Sequence, residues 1–169
     1  MPTRLSAVAP ATAPALTPAQ LTPARLARIA DSFAARPELW RPQVRFVAEE
    51  RWHARLAQTP EHEVWLLTWL PGQGTEVHDH GGASGAFSVV EGVLTERSFR
   101  RQPPVARARE LREGGTRSFG PRYIHEVANR GTAPAVSVHA YSPVLAAMSY
   151  YRETADGRIA LDRTDPVED

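Results

Sequence analysis

GQGTEVHDHGG, residues 72–82, places two histidines one residue apart in a chain that holds only six. Glycines bracket the pair, with Gly72 and Gly74 before it and Gly81-Gly82 after it. Side chains two apart diverge on a helix but share a face on a strand, roughly 6.6 Å from each other. If this segment is extended, His78 and His80 can converge on one metal ion. Asp79 between them then points to the opposite face, where it reads as a hydrogen-bond partner for a turn. Two ligands do not complete a site, so the other histidines matter. His53 and His62 lie in polar surroundings upstream and read as surface residues. His125 lies in PRYIHEVANRG, residues 121–131, a short strand between turn signals. By itself it reads more readily as an ordinary strand histidine than as a ligand.

Outward from this stretch the chain divides into a helical and a strand-rich part. Residues 1–17 are rich in Ala and Pro and are expected to form a flexible tail. Pro10 and Pro14 interrupt the apolar run that a secretory signal needs, so the expected location is cytoplasmic. Thr17-Pro18 and Thr22-Pro23 both read as an N-cap followed by proline at the first helical position. Leu26, Ile29, Ala30 and Phe33 recur at helical spacing, which predicts an amphipathic helix from Pro23 to about Ala35. A weaker pattern suggests a further short helix within 38–50.

From Glu63 onward short strand-like runs follow one another: 64–70, 75–80, 86–90, 93–99, 124–128, 135–141 and 149–153. Glu91-Gly92, Gly114-Gly115, Gly120-Pro121 and Ser142-Pro143 punctuate them as turns. Many short strands at close spacing predict a sandwich or barrel. The expected organisation is one domain over 18–169, with helices in 18–50 and a β-barrel over about 51–160.

Composition narrows the function. Twenty Lys plus Arg against nineteen Asp plus Glu offer no charge excess for nucleic acid or an anionic membrane. Cysteine is absent, which removes disulfides, thiolate metal sites and cysteine nucleophiles. No apolar stretch reaches the length of a membrane span.

Gly72, His78, Asp79, His80 and Gly92 resemble the first motif of the cupin superfamily. Gly114 and the spacing from His125 to Asn129 resemble the second, with the proline displaced by one to Pro121. Most metal-binding cupins carry a glutamate shortly after the second histidine, and here that place reads Ala83-Ser84-Gly85. The combination of LPGQGTEVHDHGGASGAFSVVEGVLTE, YIHEVAN and SVHAYSP, in that order, is similar to the thiol dioxygenases, and especially to cysteine dioxygenase. The resemblance covers roughly residues 50–145. It implies a cupin-type β-barrel (jelly roll) with N-terminal helices.

The resemblance also implies a site. His78, His80 and His125 would bind Fe(II) and leave open positions for a chelating thiol and dioxygen. Imidazole alone also suits zinc, nickel and copper. Three neutral ligands leave the ion's charge uncompensated, which favours an incoming thiolate. Ser137, His139 and Tyr141 alternate with Val136, Val138 and Ala140, so they share one face of a strand. Alternation alone reads this as a polar face in water. The resemblance makes it a hydrogen-bond relay that ends with the Tyr141 hydroxyl at the substrate, with His139 not a ligand. Arg55, with Arg51 as the weaker candidate, would bind the substrate carboxylate. Gln58 keeps 3-mercaptopropionate open as a substrate. Some relatives cross-link a cysteine to the active-site tyrosine. Gly85 stands about where that cysteine would be, so no such link forms to Tyr141. Trp69 reads as core packing. The expected activity is oxidation of L-cysteine by O2 to cysteine sulfinic acid, carried out by a monomer. A non-catalytic metal- and ligand-binding cupin is the alternative of a different class.

Overall fold

The fold was described from a computed structural model, over residues 20–101 and 104–167. The expected tail and the Thr17-Pro18 cap lie outside the described residues. Helix α1 spans Pro23–Ala34. Thr22 caps it, its side chain accepting from the Arg25 amide at 3.3 Å. Leu26 and Ala30 form its buried stripe. A short helix α2, Pro37–Trp40, runs into a single 3-10 turn, Arg41–Gln43. The helix expected within 38–50 goes no further. Beyond it the backbone is satisfied by side chains instead: the carbonyls of Arg45 and Val47 accept from Thr68 and Gln73.

Eleven strands follow: β1 His53–Gln58, β2 Glu63–Trp69, β3 Val77–Asp79, β4 Ser84–Glu91, β5 Val93–Arg101, β6 Pro104–Arg112, β7 Thr116–Phe119, β8 Ile124–Ala128, β9 Ala135–Ser142, β10 Ala147–Glu153 and β11 Ile159–Pro166. They form a five-stranded sheet, ordered β1-β2-β9-β4-β7, and a six-stranded sheet, ordered β11-β10-β3-β8-β5-β6. The two sheets face each other as a jelly roll and share no hydrogen-bonded strand, so the barrel is not closed. Each strand-like run expected from the sequence is an interior strand. The strands not anticipated, β1, β6, β7 and β11, are the sheet edges.

Alternation along the strands builds two of the three buried apolar clusters, one on each face of the five-stranded sheet. On the outer face of the five-stranded sheet, Val64, Leu66, Ala86, Val136, Val138 and Ala140 pack under Leu26, Ala30 and Trp40. On its inner face, Trp69, Phe87, Val89, Phe119 and Tyr141 meet Leu94, Leu111 and Val127 of the other sheet. Strand β9 is therefore buried on both faces along its whole length. Residues 20 and 21 latch the N-terminal part to the barrel. Gln20 Nε2 donates to the Gly82 carbonyl at 2.9 Å, and the Leu21 amide to Ser142 Oγ at 2.9 Å. No helix among the described residues is long and apolar enough to cross a membrane.

Candidate metal centre

Register brings the histidines together. In β3, His78 pairs with His125 of β8 on one side and with Tyr150 of β10 on the other. His80 follows β3 directly, on the same side as His78. The three rings have centroids 4.8, 4.8 and 5.1 Å apart. One ring nitrogen from each lies within 4.8 Å of the others, and all three residues are buried. Asp79 points away, its carboxylate accepting from the Gly81 amide at 3.0 Å and the Tyr151 hydroxyl at 2.5 Å. Gly81 is required here: its φ is +59°, and a Cβ would stand 2.4 Å from the Ala147 carbonyl oxygen. His53 and His62 stay outside this cluster, beside Trp65 and hydrogen-bonded to Thr59 respectively.

The nitrogens fit a bound cation. His78 Nδ1 donates to the Glu76 carbonyl at 2.8 Å, and His125 Nδ1 donates to Glu96 at 2.8 Å. In both rings this leaves the Nε2 lone pair free. His80 Nε2 is one of two buried side-chain nitrogens among the described residues that have no hydrogen-bond partner. Burying such a group unpaired is costly, and a metal ion would satisfy it. Burial, reinforced by His125, pushes His78 down to about 3, and burial likewise holds His80 well below its ordinary value. Neutral imidazole is the ligand form. No carboxylate belongs to this trio.

Beside the histidines runs a second chain of contacts. Trp69 Nε1 donates to Ser137 Oγ at 2.9 Å, Ser137 Oγ bonds His139 Nε2 at 2.8 Å, and His139 Nδ1 bonds the Tyr141 hydroxyl at 3.1 Å. The alternating polar face of β9 thus points into the barrel, and not into water. Burial holds His139 well below its usual value and raises Tyr141 above its own. The Tyr141 ring lies 5.0 Å from that of His80. Both nitrogens of His139 are occupied by this chain, so it does not join the metal trio. Trp69, read from sequence as packing alone, starts the relay. Gly85 pairs with Tyr141, and a Cβ there would meet Phe119 at 2.4 Å and the Tyr141 ring at 3.0 Å.

The two arginines separate. Arg55 is exposed on the edge strand β1, its guanidinium 5.4 Å from the Trp65 ring centroid. Arg51 is the one directed toward the relay. Its guanidinium stands 4.5 Å over Trp69, and its charge acts on His78, His139 and Tyr141. Burial lowers Arg51 from its usual value, but an arginine stays protonated. Gln58 is exposed at the far end of β1.

One group escaped the sequence reading. Glu96 of β5 is only 2% exposed and faces inward, its carboxylate accepting from His125, Tyr123 and Arg117. Burial works to raise its pKa, but the hydrogen bond and charge of His125, with Arg117 and Tyr123, outweigh that and lower it. In LTERSFR charged, polar and apolar residues do not alternate cleanly, so only the register of β5 against β8 shows which way Glu96 points.

The architecture is that of the cupins. Solved structures with the same fold include a Thermus thermophilus protein (22% identity, TM-score 0.55, covering 62% of this chain and 93% of the other). A Klebsiella pneumoniae protein with a double-stranded β-helix domain matches at 19% identity and TM-score 0.54, over 73% of this chain and 93% of its own. A cupin superfamily protein from Desulfitobacterium hafniense matches at 12% and 0.51, over 62% and 87%. Within that class the sequence match is narrower. The family description for cysteine dioxygenase type I matches residues 18–154, and the chain belongs to that family.

Proposed function

We propose that the protein is an Fe(II)-dependent dioxygenase that converts L-cysteine and O2 to cysteine sulfinic acid. The observation that carries this reading is the convergence of three buried imidazoles beside a hydroxyl held by its own relay. Both atoms of dioxygen are added to sulfur, and the electrons that sulfur loses are those that dioxygen gains. Ferrous iron, when bound by His78, His80 and His125, supplies open positions for thiolate and dioxygen and the electron exchange between them.

The remaining work falls to the chain. Arg51 would hold the substrate carboxylate, since its cation is half-buried and lies on the Tyr141 side of the site. That assignment replaces Arg55, whose position on the exposed edge offers a carboxylate little protection from water. The Tyr141 hydroxyl, kept protonated by burial, would orient the reacting groups and can lend a proton. His139, Ser137 and Trp69 hold that hydroxyl in place. Phe119, stacked on His80 at 4.9 Å, keeps water from one side of the trio.

Oxygen uptake by iron-reconstituted protein with a panel of thiols tests this. Prompt uptake with L-cysteine and formation of the sulfinate is the expected result. Uptake only with 3-mercaptopropionate would move the substrate to a thiol without the amine. Metal binding with no uptake for any thiol would overturn the reading in favour of a binding protein.

A further inference from the structure

We infer that Glu96 is a positioning residue for the metal centre, supplying one shell further out the carboxylate that the histidine trio lacks. The inference deepens the function proposed above and rests on metal binding at the trio alone.

Register directs the side chain. In the β5–β8 pair Ser98 stands opposite His125 and Glu96 opposite Val127, so Glu96 faces the same interior as the His125 ring. Oε1 accepts from His125 Nδ1 at 2.8 Å and from the Tyr123 hydroxyl at 3.2 Å, while Oε2 accepts from Arg117 Nε at 3.2 Å. Arg117 also donates to the Tyr123 oxygen at 3.0 Å, which closes the group on itself. The carboxylate is therefore gripped by β7 and by the segment entering β8, and it in turn grips His125.

A buried ion pair adds little net stability, so stability alone is a weak reason to bury Glu96. Its contact with His125 supplies a better one. Accepting from Nδ1 fixes the tautomer and the ring plane, aims Nε2 at the metal, and makes the imidazole a stronger donor. The other two ligands lack this. His78 Nδ1 rests on a backbone carbonyl, and among the described residues no carboxylate is hydrogen-bonded to His80. The three histidines are thus unequally supported, and among the described residues a carboxylate backs His125 alone. Negative charge reaches the centre without occupying a coordination position, so the sites needed for substrate stay open.

Anaerobic Fe(II) titration against a competing chelator, together with the electronic spectrum of the Co(II)-substituted protein, tests the role. Glu96→Gln keeps an acceptor for Nδ1–H but removes the charge. It is expected to weaken Fe(II) binding about 10- to 100-fold and to shift the Co(II) bands, and Glu96→Asp should recover part of both. Arg117→Gln, which only loosens the grip on the carboxylate, should move both readouts in the same direction by less. If Glu96→Gln does not fold, the Arg117→Gln result decides. Fe(II) affinity within about twofold of the parent, with an unchanged Co(II) spectrum, would overturn the inference and leave the proposed function standing. Metal binding by the parent without thiol oxidation would do the reverse. A parent protein that binds neither ion would remove both.

Discussion

Trp69 Nε1 donates to Ser137 Oγ, and that bond constrains the rest of the relay. With an indole proton on one lone pair, Ser137 is best used as a donor to His139 Nε2. A neutral His139 then carries its proton on Nδ1 and donates to the Tyr141 oxygen. The phenolic hydrogen is left free to point at the metal centre. Tyr141→Phe should therefore retain stoichiometric iron but slow turnover about 10²-fold, in the range for a positioned proton donor, as read from oxygen uptake. Trp69→Phe keeps an aromatic ring in the core but loses the donor and leaves a cavity where the second ring stood. It should cost about 2–3 kcal/mol of stability and slow turnover with metal content unchanged. His125→Ala removes one ligand of the trio and should abolish stoichiometric iron, measured by metal analysis of the purified protein. At this scale the sequence was informative but incomplete. It separates His78 and His80 from the other histidines by spacing. It cannot show that the indole of Trp69 reaches Ser137, a partner 68 residues away, because that contact depends on two strands pairing.

Among the elements, visibility in the sequence followed burial. Interior strands such as β2, β4 and β9 bury most of their side chains, so they stand out as apolar runs. Edge strands need not do so. β6, PVARARELR, and β11, IALDRTDP, carry charge along their length, and charge also discourages edge-to-edge association. The same burial makes small changes costly. Gly85→Ala would push Phe119 against His80, on which it is stacked. The expected result is weaker Fe(II) binding, read by the chelator titration, with Tyr141 also crowded by the new methyl group. Helix α1 offers a separate test away from the site. Thr22→Ala removes the cap bond to Arg25 and should cost about 1 kcal/mol, seen as a fall of about 2–4 °C in Tm, with oxygen uptake at 25 °C unaltered.

For the molecule as a whole, burying the neutral histidines links stability to pH. Unfolded, each histidine takes up a proton near pH 6.5, whereas folded His78 resists until about 3, and His80 and His139 are also held well below their ordinary values. Below pH 6.5 the unfolded chain therefore binds more protons, and stability falls as pH falls through the window from about 6.5 to about 3. The slope is about 1.4 kcal/mol per pH unit for each such histidine. Thermal unfolding of the metal-free protein should show Tm level above pH 7 and dropping steeply below 6; a flat profile to pH 4 would contradict the burial. By itself the sequence determined the interior strands and the His78–His80 pair, through local alternation and spacing within single segments, while the jelly-roll class and the third ligand His125 followed from the resemblance of three motifs taken together. Only the tertiary structure decided which arginine approaches the site, which way the polar face of β9 points, and that a carboxylate stands behind His125. Each of these depends on register between strands far apart in the chain, where the same side chain can face solvent or core according to its partners.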